Sequence, residues 1–412
     1  MKSSGIPWLG DVPEGWGTCR VGYLMEEINR RSADGKEEPL SMSQKLGIVP
    51  SREIEVANPA SSYVGAKIVA PGDLVLNKLK AHLGVFAISK YDGVVSPDYS
   101  VYRVYDDVSA SYLNYLFHTP VCISEFRRRI TGVAVGFNRL YTSEFFKIQV
   151  PLPPLPEQRA IAERIDCEVA RVDALREKIK REIERLGDYK KSLIAETVTR
   201  GLRKRKMKPS GIPWLGDVPA EWEIDKIKYW FKATNTRGNT TLQLLSATQK
   251  YGMYPQSKLE GVVQVAEKTD LNTFKTVHID DFVISLRSFQ GGIERSDYEG
   301  VCSPAYQTFH AMREINTGYF KYLFKSHGFI EAINRLTVGI REGKTINYSD
   351  VREMEVPIPP LPEQREIAEY LDRAVSRIDA VVARRKAQVE KLESFKRSLI
   401  QEYVTGRREV CL

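Results

Sequence analysis

The chain contains two long stretches in which apolar residues recur every seven positions. The first stretch carries Ile165, Val172, Ile179, Leu186 and Leu193. The second carries Leu371, Ile378, Leu392 and Leu399, with Arg385 as the one polar interruption. A sustained seven-residue repeat predicts a helix with a single apolar seam that packs against another helix. We therefore predict two helices of about 40 residues, each roughly 60 Å long, that pair through their seams. Packing of each helix onto its own globular domain is the alternative.

A second apolar set accompanies each seam, and we expect it to belong to the same packed face. Its members are Ile161, Leu175 and Tyr189 in the first stretch and Ile367, Val381 and Phe395 in the second. Pro156 suits the first turn of a helix, and Glu157 beside it suits the positive end of the helix dipole. Gly187 is a weak point, because glycine in a helix costs about 1 kcal/mol relative to alanine.

The segments between these stretches have a mixed pattern of short strands and short helices. Strands are predicted at 72–76 and 281–284, and apolar alternation continues over 99–105. Matched short helices are predicted at 114–117 and 321–324. A second helix follows each and ends near Arg129 or Arg335. The predicted fold is therefore mixed α/β (α+β) in two pseudo-symmetric copies, joined by an antiparallel coiled coil of two long helices.

The two copies are related by an internal repeat. Residues 4–13 recur letter for letter at 210–219, and residues 153–159 recur at 359–365 with the same prolines, glutamate, glutamine and arginine. The copies agree at their ends and differ in their middles, which indicates two similar scaffolds with different recognition surfaces. The predicted segments are 1–16, 17–152, 153–207, 208–222, 223–356 and 357–412. Pseudo-two-fold symmetry places the N-terminal copy of the repeated segment near the end of the second long helix.

Composition restricts the class of protein. The 412 residues are 42% hydrophobic and 28% charged, which is typical of a soluble globular protein with two to three domains. No apolar run approaches the roughly 20 residues of a membrane span. The five cysteines are scattered without a Cys-x-x-Cys pair, which argues against structural zinc and disulfides and favours a cytoplasmic protein. The net charge of +8 favours an anionic partner, with nucleic acid first.

The sequence offers little catalytic chemistry. It lacks a Gly-x-Gly-x-x-Gly motif, a phosphate-binding Gly-Lys-Ser/Thr loop and a His-Glu-x-x-His motif, and its five histidines are not spaced as metal ligands. Ser96-Pro97-Asp98-Tyr99 and its counterpart at 303–306 faintly resemble the Asn/Asp/Ser-Pro-Pro-Tyr motif of amino-methyltransferases. Because the second proline is missing from both, we favour a structural turn that leads into a strand.

Basic and polar residues cluster in matched segments, where they could contact DNA. Arginine pairs bidentately with guanine, asparagine and glutamine with adenine, and lysine mostly neutralises phosphate. The candidates in the first copy are Lys78, Lys80, His82, Arg127, Arg128, Arg129, Asn138 and Arg139. The candidates in the second copy are Arg287, Gln290, Arg295, Arg335, Arg341 and Lys344. The basic run at 203–208 is interpreted as a solvated tether between the copies, with phosphate contact as the alternative.

The repeated segments resemble those of one known family. Residues 150–159 read Val-Pro-Leu-Pro-Pro-Leu-Pro-Glu-Gln-Arg, and residues 356–365 read Val-Pro-Ile-Pro-Pro-Leu-Pro-Glu-Gln-Arg. Together with the two Ser-Gly-Ile-Pro-Trp-Leu-Gly-Asp-Val-Pro segments and the long helix after each proline run, they resemble the specificity subunit of type I restriction–modification systems. The resemblance covers almost the whole chain.

This resemblance implies a non-catalytic subunit with two target-recognition domains, each of which reads one half of a bipartite, asymmetric DNA site. Two long helices would separate the domains and dock two methyltransferase subunits, and a restriction subunit that translocates DNA would join them. The chain itself would hold no cofactor or metal, since S-adenosylmethionine, ATP and Mg²⁺ belong to the partner subunits. The diverged middles agree with two different half-sites, because identical middles would predict a palindrome.

Two other functions remain open from the residues themselves. One is a stand-alone DNA methyltransferase or nuclease, against which the missing cofactor loop argues. The other is a coiled-coil scaffold that binds proteins and not DNA, against which the basic loops argue. Salt dependence separates the scaffold from a DNA-binding protein, because neutralising six or more phosphates costs roughly 10³-fold in affinity between 50 and 200 mM salt.

Overall fold

The structure is a computed structural model that describes residues 1–44, 46–54, 62–131, 139–239, 241–249, 251–259, 271–285, 292–336 and 346–410. The chain forms two compact units. The first unit comprises Met1–Ile179 and Ala387–Leu412, and the second comprises Lys180–Lys386. Each unit therefore contains one copy of the repeated middle segment and part of each long helix.

The first unit is built around an antiparallel four-stranded sheet. The strands of this unit, in chain order, are β1 (Lys2–Ser3), β2 (Asp11–Val12), β3 (Gly17–Arg20), β4 (Met25–Ile28), β5 (Leu40–Ser43), β6 (Gly47–Pro50), β7 (Lys67–Val69), β8 (Leu74–Asn77), β9 (Phe86–Ile88), β10 (Gly93–Val95), β11 (Tyr99–Val104) and β12 (Gln149–Leu152). The sheet has the order β4-β11-β8-β9. Two-stranded pairs join β1 to β2, β5 to β6, β7 to β10 and β3 to β12. The last of these pairs brings together the two ends of residues 17–152, which we call the first recognition segment after the sequence-based expectation; residues 223–356 are the second.

The second unit repeats this topology. Its strands are β13 (Met207–Pro209), β14 (Asp217–Pro219), β15 (Glu223–Lys226), β16 (Phe231–Thr234), β17 (Leu245–Thr248), β18 (Gly252–Pro255), β19 (Lys275–Val277), β20 (Phe282–Ser285), β21 (Glu294–Arg295), β22 (Gly300–Cys302), β23 (Tyr306–Ala311) and β24 (Glu355–Ile358). The sheet order is β16-β23-β20-β21, and β19 pairs with β22 as β7 pairs with β10. The strands predicted at 72–76, 99–105 and 281–284 are confirmed as β8, β11 and β20.

The helices fall into short ones within the recognition segments and two long ones. In chain order they are α1 (Ala110–Phe117), α2 (Pro120–Arg129), α3 (Thr142–Phe145), α4 (Leu155–Arg200), α5 (Thr317–Leu323), α6 (His327–Arg335), α7 (Tyr348–Val351) and α8 (Leu361–Val404). The predicted matched pairs, α1 with α5 and α2 with α6, are confirmed. In the first unit, the buried rings of Phe117, Phe126 and Phe145 meet edge to face with centroids 5.4–5.9 Å apart. These rings hold α1, α2 and α3 together.

The glutamine of the repeated proline motif fixes the start of each long helix. The Gln158 side chain donates to the Pro153 carbonyl at 2.8 Å and accepts from the Ser109 backbone N–H at 2.8 Å. Gln364 makes the same two contacts, with Pro359 at 2.9 Å and Asn316 at 2.8 Å. Both glutamines are buried, so each connects the cap of a short helix to the first turn of a long one.

The glutamate of the same motif anchors a buried tryptophan. Trp16 Nε1 donates to Glu157 at 2.9 Å, and Trp222 Nε1 donates to Glu363 at 2.9 Å. Each long helix also ends next to one of these tryptophans. Gly201, which follows α4 with a left-handed φ of 73°, packs against Trp222, and Gly406, which follows α8 with φ 71°, packs against Trp16. A β-carbon at either glycine would collide, so glycine is required both by its conformation and by the available space.

The two long helices pair antiparallel, as ion pairs within each unit demonstrate. In the first unit, Lys396 contacts Asp173 at 2.7 Å and Glu393 contacts Arg176. In the second unit, Lys190 contacts Asp379 at 2.7 Å and Arg385 contacts Glu182 at 3.2 Å. In each unit the residue numbers increase along α4 while those of their partners decrease along α8, which is the order expected of antiparallel helices. The prediction that the helices pair with each other is confirmed, and Arg385, the interruption in the seam, is paired with a carboxylate on the opposite helix.

The predicted seam faces the partner helix, whereas part of the second apolar set does not. Buried seam residues are Ile165, Val172, Ile179, Leu371 and Leu399, and half-buried ones are Leu186, Leu193, Ile378 and Leu392. Ile161 and Ile367 of the second set are buried. The expectation is wrong for Leu175, Tyr189, Val381 and Phe395, which are exposed.

The second packed position lies one residue later in each heptad. It is occupied by residues such as Val169, Ile183 and Val382, but also by Arg176 and Lys190. Those cations are partly covered and pair with carboxylates on the other helix. The register therefore follows the cross-helix ion pairs as well as the apolar pattern.

Each recognition segment closes onto the end of a long helix in its own unit. The Tyr112 hydroxyl lies 3.1 Å from the Val404 carbonyl at the end of α8, and the Tyr319 hydroxyl lies 2.9 Å from the Val198 carbonyl near the end of α4. The N-terminal repeat segment packs beside the end of α8, where Pro13 adjoins Gly406. The predicted pseudo-symmetric placement of this segment is thereby confirmed.

The basic run at 203–208 is not the solvated tether that the sequence suggested. Arg205 is largely buried and pairs with Glu363 at 2.5 Å and Glu221 at 2.9 Å. Arg203 pairs with Glu366 at 2.8 Å, and the last residues of the run enter β13. The run therefore fastens the start of the second copy to the first turns of α8.

Candidate nucleic-acid interface

A tight turn after β8 carries the first group of candidate residues. The Asn77 side-chain oxygen accepts hydrogen bonds from backbone N–H groups two and three positions later, at 3.1 and 3.2 Å. This closes the turn that holds Lys78 and Lys80, and a short 3₁₀-helix carries His82 directly after it. Lys80 is exposed, whereas Lys78 and His82 are partly covered. The turn therefore presents two ammonium groups at the end of a fully buried strand.

The basic end of α2 approaches this turn. Arg127 Nε donates to the His82 carbonyl at 3.1 Å, so Arg127 and the turn form one group. The next two arginines both pair with buried Glu125, Arg128 at 3.6 Å and Arg129 at 2.7 Å. Arg129 also lies 3.7 Å from a carboxylate on α3, so it stabilises the packing of two helices, while Arg128 remains exposed.

Arg139 forms an isolated antiparallel bridge with Thr131. Its backbone N–H donates to the Thr131 carbonyl at 2.9 Å and its carbonyl accepts from the Thr131 N–H at 3.1 Å. Its guanidinium group lies 3.7 Å from Asp98. The next residue, Leu140, donates its N–H to the Lys78 carbonyl at 3.0 Å, which joins this bridge to the basic turn. Asn138 lies outside the described residues.

Asp98 belongs to the motif that faintly resembled a methyltransferase site, and the structure supports the alternative of a turn. The Tyr99 N–H donates to the Ser96 carbonyl at 3.0 Å, and the Tyr306 N–H donates to the Ser303 carbonyl at 3.0 Å. In both copies the tyrosine is the first residue of a central strand. The motif therefore starts β11 and β23.

Only two of the six candidates in the second copy, Arg295 and Arg335, lie within the described residues. Arg295 is held by Asp280 at 3.1 Å and by Asp297, and it donates to the Thr317 hydroxyl at 3.2 Å. Arg335 is the last residue of α6 and is exposed. The other four candidates, Arg287, Gln290, Arg341 and Lys344, lie outside the described residues. The assignment of base-contacting residues stays a prediction.

Sequence reasoning missed a pair of buried lysines at matched positions. Lys67 opens β7 and is 4% exposed, and Lys275 opens β19 and is 7% exposed. Each forms an isolated antiparallel bridge with an exposed arginine, Arg31 in the first unit and Arg237 in the second. A comparison of the two Lys-x-Val segments that precede the predicted strands would have found them.

The two lysines have different surroundings. Lys67 Nζ lies 3.6 Å from Glu27, whose carboxylate also accepts from the Ser100 hydroxyl at 2.8 Å. Burial lowers the pKa of Lys67, and the charge of Glu27 opposes this shift. Burial raises the pKa of Glu27, but hydrogen bonds and the nearby lysine outweigh it, so the net shift is downward and the carboxylate is ionised.

Among the described residues Lys275 has no equivalent carboxylate, because Ala233 takes the place of Glu27 on β16. Its ammonium group donates to the Tyr306 carbonyl at 2.6 Å. Burial lowers its pKa, the neighbouring Cys302 opposes this shift, and the charge of Arg237 adds to it. This site therefore concentrates positive charge on one face of the paired strands.

The described residues contain no group of three or more histidine, cysteine, aspartate or glutamate side chains that could hold a metal ion. None of the helices in these residues is both long and apolar enough to cross a membrane.

Comparison with known proteins gives a consistent result over nearly the whole length. A family model for the type I restriction modification DNA specificity domain matches residues 13–185 and 219–391. The type I restriction enzyme MjaVIII specificity subunit of Methanocaldococcus jannaschii is 25% identical, over 97% of this chain and 94% of the relative. The StySPI specificity subunit of Salmonella potsdam is 21% identical, over 96% and 90%.

Solved structures share the fold. One, from work on complex assembly and conformational transition of the type I restriction–modification system, covers 96% of this chain and 98% of its own with a TM-score of 0.70 and 14% identity. The HsdS subunit from Thermoanaerobacter tengcongensis covers 97% and 98% with a TM-score of 0.57 and 16% identity. With two matched copies of the specificity domain in one chain, this protein belongs to the type I restriction–modification DNA specificity subunit family.

Proposed function

We propose that the chain is a non-catalytic subunit that sets the DNA sequence recognised by a type I complex, and that each recognition segment reads one half of a bipartite, asymmetric site. The observation that carries this proposal is the repeat: two segments share one sheet order but differ in the charged side chains on it. Ile88 of β9 corresponds to Arg295 of β21, and Glu27 of β4 corresponds to Ala233 of β16. Equal scaffolds with unequal surfaces are what two different half-sites require.

Within the first segment, we assign base and phosphate contacts to the turn at Lys78–His82 together with Arg127 and Arg139. Arg127 and the lysines are the side chains of this group that no described carboxylate holds. Arginine suits guanine, whereas the lysines suit the phosphates on either side. Arg129 and Arg295 are each engaged by two carboxylates, which supports a lesser role for them in reaching DNA.

The exposed apolar residues of the long helices support a docking function. Leu175 of α4 and Phe395 of α8 lie at the same level of the antiparallel pair within the first unit, and Tyr189 and Val381 do so within the second. Each unit thus presents one exposed apolar pair beside a seam. We propose that each pair docks one methyltransferase subunit, which gives two copies per chain. S-adenosylmethionine would then be held by those subunits, and ATP and Mg²⁺ by a restriction subunit.

Exchange of residues 223–356 for the corresponding segment of another family member tests the division of labour. The complex with methyltransferase subunits should then methylate a motif in which one half has changed and the other has not. The matched control exchanges residues 17–152 and should change the opposite half. A change in both halves after either exchange would contradict independent recognition.

Native mass spectrometry of the same complex tests docking. Leu175→Ser with Phe395→Ser should reduce the stoichiometry from two methyltransferase subunits per chain to one. Lys178→Ser, in the same turn of α4 and also exposed, is the matched control and should retain two. Retention of two subunits by the double variant would place the docking surface elsewhere.

One alternative is a protein scaffold that does not bind DNA. The assembled complex would then bind duplex DNA weakly and with little dependence on salt. A steep loss of affinity between 50 and 200 mM salt supports the DNA-binding function instead.

A further inference from the structure

We propose that Arg237 and Lys275 form a binding site for one phosphate of the DNA backbone, and that Arg31 and Lys67 form the corresponding, weaker site in the first segment. This inference rests on the proposed function, and it names residues that hold the backbone as opposed to those that read bases. The two sites lie at matched positions of the two segments, with one arginine and one lysine in each.

The backbone geometry places each arginine and lysine side by side. Arg237 and Lys275 are directly opposed in an antiparallel bridge, and the Thr276 N–H donates to the Thr236 carbonyl at 2.8 Å. Directly opposed residues of antiparallel strands project to the same face, with β-carbons about 5 Å apart. A guanidinium and an ammonium group at this separation can contact the same phosphate, through a fork and a point charge respectively.

Arg237 brings a second positive charge to the site, and its described side-chain partner is neutral. Its described side-chain contact is a hydrogen bond to Asn235 at 3.1 Å, so no carboxylate among the described residues compensates the positive charge of the guanidinium group. Arg31 likewise donates to a carbonyl, that of Gly65, at 2.9 Å. The arginine in each site is therefore oriented by a neutral oxygen and keeps further donors for an anion.

The free-energy cost of burying the Lys275 ammonium group favours the binding of an anion at this site. A buried ammonium group is unfavourable unless a negative charge compensates it. Among the described residues, its partner is a neutral carbonyl, that of Tyr306, and its charged neighbour is the cation Arg237. Cys302 also lies nearby, but burial raises the pKa of its thiol to about 12, so it is uncharged at neutral pH. Such a lysine lowers the stability of the free subunit, and a bound phosphate would supply the missing charge.

Glu27 makes the first site different. Its carboxylate lies 3.6 Å from Lys67 and already neutralises that ammonium group. A phosphate must compete with this internal anion, although the charge of Lys78 also acts on the pair. The contribution of the second site to DNA affinity should therefore exceed that of the first.

The experiment compares Lys275→Met with the control Lys191→Met in the complex with methyltransferase subunits. Lys191 is an exposed lysine of α4. Loss of one phosphate contact should weaken binding roughly eightfold at 0.1 M salt and reduce the slope of log affinity against log salt by about 0.9. The same factor should apply to target and non-target duplexes, since a phosphate contact carries no sequence information. The control should change neither quantity.

Thermal unfolding of the free chain separates a binding role from a structural one. Removal of a buried, uncompensated charge should leave the melting temperature of Lys275→Met unchanged or raised, whereas a structural lysine would lower it. Ala233→Glu provides a second test, because it introduces at the second site the carboxylate of the first. This variant keeps the lysine and should also weaken binding to both duplexes.

Three results would overturn the inference: unchanged affinity and salt slope for Lys275→Met, a loss confined to the target duplex, or a lowered melting temperature together with the loss of binding. A loss confined to the target would assign Lys275 to base recognition. Failure of the proposed function is a separate outcome, seen when the wild-type complex itself does not prefer any sequence.

Discussion

The packing register of the long helices can be tested with two aliphatic residues one turn apart. Ile179 of α4 is 4% exposed, and Leu175 is 46% exposed on the same helix. Both lie in the first unit and both belong to apolar heptad patterns. Substitution of each by alanine removes a similar volume of side chain, so the difference between the two variants reports on packing.

The expected magnitudes follow from this burial. Removal of a buried isoleucine costs about 2–5 kcal/mol, and a site on a two-helix seam belongs at the low end of that range. In a unit of this size, 2 kcal/mol corresponds to a decrease of about 4–8 °C in melting temperature. Leu175→Ala loses a half-exposed side chain and gains helix propensity, so the expected change in free energy of unfolding is under about 1 kcal/mol.

Scanning calorimetry of the free chain provides the assay. Ile179→Ala should lower the melting temperature of the first unit, and Leu175→Ala should leave it nearly unchanged while it weakens the binding of a methyltransferase subunit. Equal destabilisation by the two variants, or a larger effect of Leu175→Ala, would refute the register and would place Leu175 in the seam.

Three further predictions concern stability. Tyr319→Phe should lower the free energy of unfolding by about 1–2 kcal/mol in denaturant titrations, because two buried carbonyls, of Val198 and Pro357, lose their hydroxyl donor. Gly187→Ala should raise it by about 1 kcal/mol, since an added β-carbon there meets no atom within 4 Å. Asp173→Asn should destabilise the first unit at neutral pH. Burial raises the pKa of the Asp173 carboxyl, but hydrogen bonds from two cations outweigh this and the net shift is downward. Its stabilisation is therefore present above the unfolded pKa of about 3.9 and is lost as the pH falls through the lower folded value. The melting temperatures of variant and wild type should converge below that value.

The sequence was sufficient for the architecture because the relevant information is periodic. Seven-residue spacing identifies the seam, and an internal repeat identifies the two copies. The second packed position was missed for a physical reason. Arg176 and Lys190 occupy it, and a polar residue there is tolerated because a carboxylate on the opposite helix compensates it. That compensation becomes visible only when the antiparallel register is known.

The candidate interface was partly predictable for a similar reason. The turn at Lys78 and Lys80 follows from local sequence, since asparagine before two such residues favours a closed turn. The approach of Arg127 to this turn depends on contacts between distant segments. Lys67 and Lys275 were missed because a lysine is expected at the surface unless it is paired, and their burial depends on strands that pair across the segment.

The central claim is that this chain determines which DNA sequence its complex recognises. The most direct measurement is a genome-wide map of methylated bases in cells that express the chain with its methyltransferase subunit, compared with cells that lack the chain. The account predicts a split, asymmetric motif that disappears when the chain is absent. An unsplit motif, or one that persists without the chain, would contradict it.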